Sequence, residues 1–337
     1  MRAHGARPPH EEALLRAWLA GKPLDAGRRA PETFFPASLR RAFAEIGSQV
    51  SALARIRTRQ TSSDGTCRLL VGLHDGRTIE SVLLARDVLC ASTQVGCAVA
   101  CRFCMTGQGG LARQLGSAEI VAQVALARTL RTVRKVVFMG MGEPAHNLDN
   151  VLEAIDLLGS LGDIGHKSLV FSTVGDVRAF ERLPQGRVKP ALALSLHTTR
   201  ADLRSELLPR APRIPPAELV ALAQAYADAT SYPVQYQWTL LEGVNDGDDE
   251  IDAIARLLAG KYAVMNFIPF NDVDGLGYRR PSWERAMTMT RMLNQRGVLA
   301  KLRQSGGQDI DAACGQLRSR AIGLESGRES DASALAS

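Results

Sequence analysis

From Val88 onward the chain alternates short apolar runs with longer amphipathic stretches, and no other property of the sequence restricts its fold as strongly. The runs are Lys135-Val136-Val137-Phe138-Met139, Ser168-Leu169-Val170-Phe171, Ala191-Leu192-Ala193-Leu194, Val234-Gln235-Tyr236-Gln237-Trp238 and Val264-Met265-Asn266-Phe267-Ile268. Short apolar runs with longer segments between them read as buried strands. Between them, Ile120, Val124 and Ala127, or Leu219, Leu222, Ala223 and Tyr226, recur at spacings of three and four, which places an apolar stripe on one helix face. Repeated βα units imply a parallel sheet, closed or nearly closed. The expectation is an α/β fold whose core, residues 88–320, is a partial (β/α)6 TIM-like barrel.

Two short helical patterns, around Glu11–Leu15 and Leu39–Phe43, mark residues 1–50 as a helical accessory domain. Residues 51–87 change to β-like runs broken by Asp64-Gly65 and Asp75-Gly76, turn dipeptides that predict a β-hairpin extension. The tail, 321–337, is rich in Ser, Ala, Gly and Glu and is expected to be disordered. Polar residues fall where strands end, on the face a barrel uses for catalysis: Glu143, Ser172, Ser195, His197 and Asn271.

Forty-one Lys and Arg against 35 Asp and Glu leave a net charge of +6, which suits a polyanionic partner or a solvated basic surface. No run of 18 or more apolar residues occurs and the start of the chain is charged, so the expectation is a cytoplasmic protein without a membrane partner. The six cysteines, at 67, 90, 97, 101, 104 and 314, are too few and too clustered for a disulfide scaffold, which leaves metal or redox chemistry.

Gly96-Cys97-Ala98-Val99-Ala100-Cys101-Arg102-Phe103-Cys104 is a C-x3-C-x2-C array. Three thiolates on one short loop can hold three irons of a 4Fe-4S cubane, leaving the fourth iron open to chelate the amino and carboxylate groups of S-adenosylmethionine (SAM). An electron from such a cluster splits the sulfonium bond and releases a 5'-deoxyadenosyl radical, chemistry that no side chain performs. Zinc is the competing reading, but structural zinc takes four ligands in paired C-x2-C units and no second pair is present. In Phe138-Met139-Gly140-Met141-Gly142-Glu143-Pro144 an apolar strand runs into two glycines and a carboxylate. The glycines admit a ligand close to the backbone and Glu143 can accept hydrogen bonds from its ammonium.

These segments resemble the RlmN/Cfr family of radical-SAM RNA methyltransferases from about Ser63 to Leu317. Cys90–Cys97, the Gly-Met-Gly-Glu-Pro stretch, Ser195-Leu196-His197, Leu241–Asp246, Ile268–Asn271 and Asp309–Leu317 match family blocks in order. The resemblance implies a radical-SAM barrel with Cys97, Cys101 and Cys104 on the cluster, and SAM contacts from Gly142, Glu143, Ser172, Ser195, Leu196, His197 and Asn271. It further implies that one SAM methylates Cys314 and a second supplies the radical that activates this S-methyl group, two SAM per turnover, with adenine carbon 2 as the default target. Glu80 is then the proton acceptor, and Cys90 resolves the protein–RNA linkage through a transient disulfide with Cys314. The implied partners are rRNA and/or tRNA and an electron donor such as flavodoxin or ferredoxin, acting on a monomer.

The chain departs from the family in a short Glu80–Cys90 link, an abbreviated N-terminal region and Gly306 in place of an arginine, which bears on RNA contacts. Carbon 8 of adenine or another RNA remains an alternative. So does an activase that makes a glycyl radical on a protein, which would share the cysteine loop and barrel but need neither Cys90 nor Cys314. A cluster-bearing binding module without turnover is disfavoured by the intact Glu80, Cys90 and Cys314. Cys67 matches nothing in the family and reads as core or as a minor surface thiol.

Overall fold

The computed structural model describes residues 1–27, 29–273 and 275–318, so the expected disordered tail lies outside the described residues. Four helices come first: α1 (Pro8–Leu19), α2 (Pro31–Phe34), α3 (Ala37–Arg41) and α4 (Phe43–Leu53). Proline opens α1 and α2, where a missing N–H costs nothing. Leu14, Phe35, Leu39, Ala42 and Ile46 form a small core of their own, with Phe35 edge-on to Phe43 at 5.1 Å. Arg16 ties this layer to the rest of the molecule by donating to Leu161 O and Ser160 O, both at 3.2 Å.

An antiparallel meander follows: β1 (Ala54–Thr61), β2 (Cys67–Leu73) and β3 (Thr78–Leu84). Both turn dipeptides behave as the sequence predicts. Asp64 accepts from Thr66 N at 2.8 Å and Asp75 from Arg77 N at 3.0 Å, while Gly65 and Gly76 take φ of 80° and 82°. The short link to β4 (Val88–Cys90) keeps that strand antiparallel to β3, and β4 in turn pairs in parallel with β7 (Lys135–Phe138). The hairpins are therefore not a separate layer but the continuation of the barrel sheet.

Between β4 and β7 lie the two-stranded sheet β5 (Gln94–Gly96) and β6 (Leu111–Gln114) and helix α5 (Ser117–Leu130). The βα units continue through α6 (Leu148–Ser160), β8 (Leu169–Thr173), α7 (Val177–Arg182), β9 (Ala191–Ser195), α8 (Ala201–Leu207), α9 (Pro216–Thr230), β10 (Val234–Leu240), α10 (Asp248–Leu258), β11 (Ala263–Pro269), α11 (Trp283–Gln295) and β12 (Ala300–Leu302). The strand order is β1-β2-β3-β4-β7-β8-β9-β10-β11-β12, parallel from β4 onward. Sequence reading foresaw β7 to β11, each marked by an apolar run; β5, β6 and β12 are three or four residues each and carry no such run.

Strand alternation gives the sheet two different faces. Val136, Phe138, Phe171, Leu192, Trp238 and Phe267 point outward into the main core under the helices, whereas Val137, Val170, Ala191 and Ala193 point inward and form a small separate cluster. β12 and β1 do not pair, so the barrel is partial. Loop contacts bridge the gap instead: Asp309 accepts from Ser62 Oγ at 2.5 Å, and Gly307 N donates to Asp64 Oδ2 at 3.0 Å.

Helix α5 is anchored by an ionic knot. Glu119 accepts from Gly116 N at 2.9 Å and takes both ends of the Arg113 guanidinium at 2.8 Å, while Arg113 also reaches Asp75 at 2.7 Å. Burial alone would push Glu119 up, but Arg113 and the Gly116 N–H outweigh it and hold the carboxyl below its ordinary value. Glu119→Gln removes the charge from a side chain only 6 % exposed and is expected to cost about 1–3 kcal/mol. A carboxylate with a depressed pKa contributes above its unfolded value near about 4 and loses that contribution as pH falls through its folded value. Thermal melts should therefore show the gap between wild type and variant near pH 7 closing toward pH 3; a gap that does not depend on pH refutes the assignment.

Candidate active site

The site is assembled where three backbone segments pass unusually close. Past Cys90 the chain runs across the C-terminal end of β7, and a Cβ at Gly140 would lie 2.8 Å from Ala91 O, one at Gly142 2.7 Å from the Gln94 side chain. Gly142 also has φ of 110°, which L side chains rarely adopt. The glycines foreseen as room for a ligand thus serve first to let β4–β5 cross β7. Ser92 locks the crossing: its Oγ accepts from Met141 N at 2.8 Å and donates to Glu80 O at 2.6 Å.

Cys97, Cys101 and Cys104 line one pocket with Gly140, Gly142, Glu143, Ser172, Ser195, His197, Asn271 and Cys314. The cysteine loop is held by Cys97 N to Gly110 O at 2.9 Å and Arg102 N to Leu207 O at 2.9 Å. Burial pushes the Cys97 thiol up to about 12, and Cys101 is raised by burial and by its neighbours Cys104 and Cys97. Thiols so placed need a metal to hold them as thiolates. Among the described residues no three His, Cys, Asp or Glu side chains converge on one point fit for a single ion. Three loop cysteines are one ligand short of the four that structural zinc takes, and they match the donor set of a cubane with one open iron.

Glu143 is 4 % exposed and accepts from Ala145 N and Val174 N, each at 3.0 Å. Burial still lifts it to about 7 against the hydrogen bonds from Thr173, Ala145 and Val174. A buried carboxylate held up in this way is suited to an incoming ammonium, as SAM would present. His197 is pushed down to about 3 by burial and then by Arg204. It is neutral, with Nδ1 accepting from Thr239 N at 3.0 Å, which leaves its proton on Nε2. Its ring stands edge-on to Phe103 of the cysteine loop at 4.8 Å, so it braces the loop as well as lining the pocket. Ser172 and Ser195 lie inside β8 and β9 rather than after them. Leu196 turns its side chain into the main core, fully buried, and its N–H donates to Gln237 O at 3.0 Å.

Cys314 is exposed, and with Gly315 it lines the pocket. Asn271 Nδ2 donates to Cys314 O and to Ser305 Oγ, both at 3.0 Å. Met105 N donates to Gly315 O at 2.8 Å, and Thr106 Oγ1 to Leu317 O at 2.6 Å. Cys90 lies outside the pocket lining, at the register of Val137 on the inner face. Burial raises its thiol and the nearby Cys314 raises it further. All six cysteines are free thiols in this structure. Glu80 is sealed at 0 % exposure, with Arg318 N donating to its Oε2 at 2.9 Å and Arg68 Nη1 3.6 Å from its Oε1. Of the two readings of Cys67, the structure takes the core: the side chain is buried.

Sequence reasoning missed Arg204, which is 4 % exposed and donates to Ser195 O at 3.2 Å and also to Val174 O. Burial lowers it to about 10, while Cys101 and Glu143 act to raise it. A positive charge beneath the cluster loop balances thiolates, and nothing in the surrounding Ala-Asp-Leu-Arg-Ser helix marks it in sequence.

A three-thiol loop above a partial parallel barrel, with a glycine–carboxylate shelf beside it, defines a radical-SAM enzyme. The Radical SAM superfamily model matches residues 91–258. A "probable RNA methyltransferase" of Methylibium petroleiphilum is 67% identical over 96% of this chain and 92% of its own length, and one of Aromatoleum aromaticum is 68% identical over 96% and 91%. The crystal structure of a radical SAM methyltransferase from Sphaerobacter thermophilus superposes with a TM-score of 0.78 at 38% identity, covering 85% of this chain and 86% of that one. The chain belongs to the RlmN/Cfr-like family of radical-SAM methyltransferases, whose cofactors are a 4Fe-4S cluster and SAM.

Asn271→Ala should loosen the Cys314 segment. Pulse alkylation of Cys314 is expected to accelerate about fivefold, the local-opening equivalent of about 1 kcal/mol for a lost hydrogen bond, with the far-UV spectrum unchanged. Equal alkylation rates would remove Asn271 from this role.

Proposed function

We propose that this chain methylates carbon 2 of an adenine in rRNA and/or tRNA through an S-methylcysteine at Cys314. The observation that carries the reading is that Cys314, more than 200 residues downstream, lines the same pocket as Cys97, Cys101, Cys104 and the Gly142–Glu143 shelf. The RNA methyltransferase names of the relatives point to the polymer, as does the net charge of +6.

In this reading Cys97, Cys101 and Cys104 hold the cluster, and SAM takes its contacts from Gly142, Glu143, Ser172, Ser195, His197, Asn271 and the Leu196 backbone. Bound together and reduced by a flavodoxin or ferredoxin, they supply the methyl group and the hydrogen-abstracting radical, two SAM per turnover. The chain's own residues do the rest. Cys314 carries the methyl carbon to the base. Glu80 removes the ring proton, which requires the segment around Arg318 to release its carboxylate first. Cys90 attacks the Cys314 sulfur; the sulfur–carbon bond breaks, the carbon keeps the electron pair and takes a proton to become the product methyl, the adduct's odd electron would pass back to the oxidised cluster, and a Cys90–Cys314 disulfide is left that cellular thiols reduce. An activase has no use for this pair.

Anaerobic reconstitution with SAM followed by peptide mass spectrometry should show one added methyl group on Cys314. An unmodified Cys314 together with normal SAM cleavage would sink the proposal in favour of the activase class. Adenosines from a deletion strain should lose 2-methyladenosine at one position; loss of 8-methyladenosine instead would move the target to carbon 8. Cys90→Ala should accumulate a covalent protein–RNA adduct, with turnover down on the order of 100-fold or more.

A further inference from the structure

The inner face of the barrel carries cations that the methyl-transfer steps leave unused. Lys301 on β12 is the register partner of Asn266 on β11. Arg303, two residues on, shares that face, and its N–H continues the ladder to Phe267 O at 2.8 Å. Met265 and Phe267 belong to the outer core, so Asn266, Lys301 and Arg303 point inward. Lys135 opens β7 with the inward parity of Val137 and Met139. Burial lowers its ammonium pKa, and Arg303 and Lys301 are near enough to lower it further.

These three cations have no carboxylate within ion-pair distance among the described residues. Asn266 beside them is 2 % exposed, and its Nδ2 has no acceptor. Like charges gathered around an orphaned donor repel one another until an anion arrives. Lys301 and Arg303 are exposed and Lys135 is half-buried, so the group opens toward solvent at the β12 edge, where strand pairing ends.

We propose that Lys135, Asn266, Lys301 and Arg303 form a seat for one phosphodiester of the substrate RNA, beside the nucleotide whose base meets Cys314. The inference rests on the RNA reading above. A phosphodiester offers two free oxygens and one charge, which ammonium groups, a guanidinium fork and an amide can share. Asn271 ties Ser305, two residues past Arg303, to the Cys314 backbone, both at 3.0 Å, which makes the seat a neighbour of the segment that carries the methyl group. The SAM carboxylate is a poorer occupant. Lys135 starts β7 and the Gly140–Gly142 shelf follows its end, and the strand between them spans roughly 10 Å.

The test uses full-length protein carrying its cluster, titrated by fluorescence anisotropy with a labelled, unmodified RNA hairpin that has adenosines in its loop, at several salt concentrations. Lys301→Gln, Lys135→Gln and the double variant are compared with wild type after their melting temperatures are matched. One lost phosphate contact should weaken RNA binding by about tenfold in the double variant and lower the log–log salt slope by about 0.7–0.9. SAM binding and RNA-independent SAM cleavage should stay at wild-type levels. Variants that bind RNA with wild-type affinity and slope overturn the seat. So does a loss of SAM binding in the variants, or protection of wild type alone by inorganic phosphate with RNA affinity unchanged. A wild-type protein that binds no RNA sinks the proposed function itself, whereas a binding wild type with unaffected variants sinks only the seat.

Discussion

The crossing of the Ala91–Gln94 segment over Gly140–Gly142 is the contact on which the rest of the site depends. With any larger residue at 140 or 142 the two backbones could not approach, because a Cβ would fall inside normal contact distance of Ala91, Ser92 or Gln94. At this one place the hairpin strand bearing Glu80, the strand bearing Cys90, the cysteine loop and the Glu143 shelf are joined through Ser92 and Gln94. Gln94 extends the join outward, accepting from Glu143 N at 2.7 Å and donating to Gln114 at 2.8 Å. Gln114 in turn donates to His146 O at 2.9 Å. A rigid shelf results from a chain of fully used amide groups rather than from apolar packing.

That construction places several charges out of water, and each is balanced by a different device. Glu80 has Arg68 and the Arg318 N–H, and Glu143 has two backbone N–H groups and, among the described residues, no ion-paired cation. Arg204 has carbonyl oxygens and the cluster thiols nearby. Removing either partner of such a buried pair is far costlier than the pair is worth. The arrangement therefore favours one geometry and penalises intermediate ones, which is what a site that must position a sulfur, a carboxylate and a cofactor together requires.

The barrel was readable from residues 88 onward because a strand buried on both faces is apolar along its whole length and its crossover helix has an apolar stripe. The cysteine loop was readable because its spacing is itself the chemistry. Other parts depend on tertiary context that no local pattern encodes. β12 is only Ala300-Lys301-Leu302 and is a strand because β11 is beside it. Leu196 sits in a block whose neighbours line the pocket, yet strand parity turns its side chain to the core. Arg204 is an ordinary helical arginine until α8 buries it against the carbonyls of Val174 and Ser195. Glu80 reads as a solvated strand residue because the segment that seals it arrives from more than 230 residues away.

Gly306 shows how a departure in sequence follows from packing. The resemblance places an arginine there, but a Cβ at 306 would lie 2.6 Å from Thr66 Oγ1 and 3.1 Å from Asp64 Oδ2. The same turn binds the next residue, with Gly307 N donating to Asp64 Oδ2 at 3.0 Å, and Asp309 to Ser62 closes the contact. The loop before Cys314 is thus seated directly on the β1–β2 turn, and this contact bridges the gap where β12 and β1 fail to pair. A guanidinium at 306 would have to lift the loop off that turn and open the barrel edge. The cations that remain beside the opening, Lys301 and Arg303, project from β12 and its immediate continuation. In this chain positive charge near the methyl-carrying cysteine is therefore held on rigid strand backbone, while the loop is left free to serve as the seam.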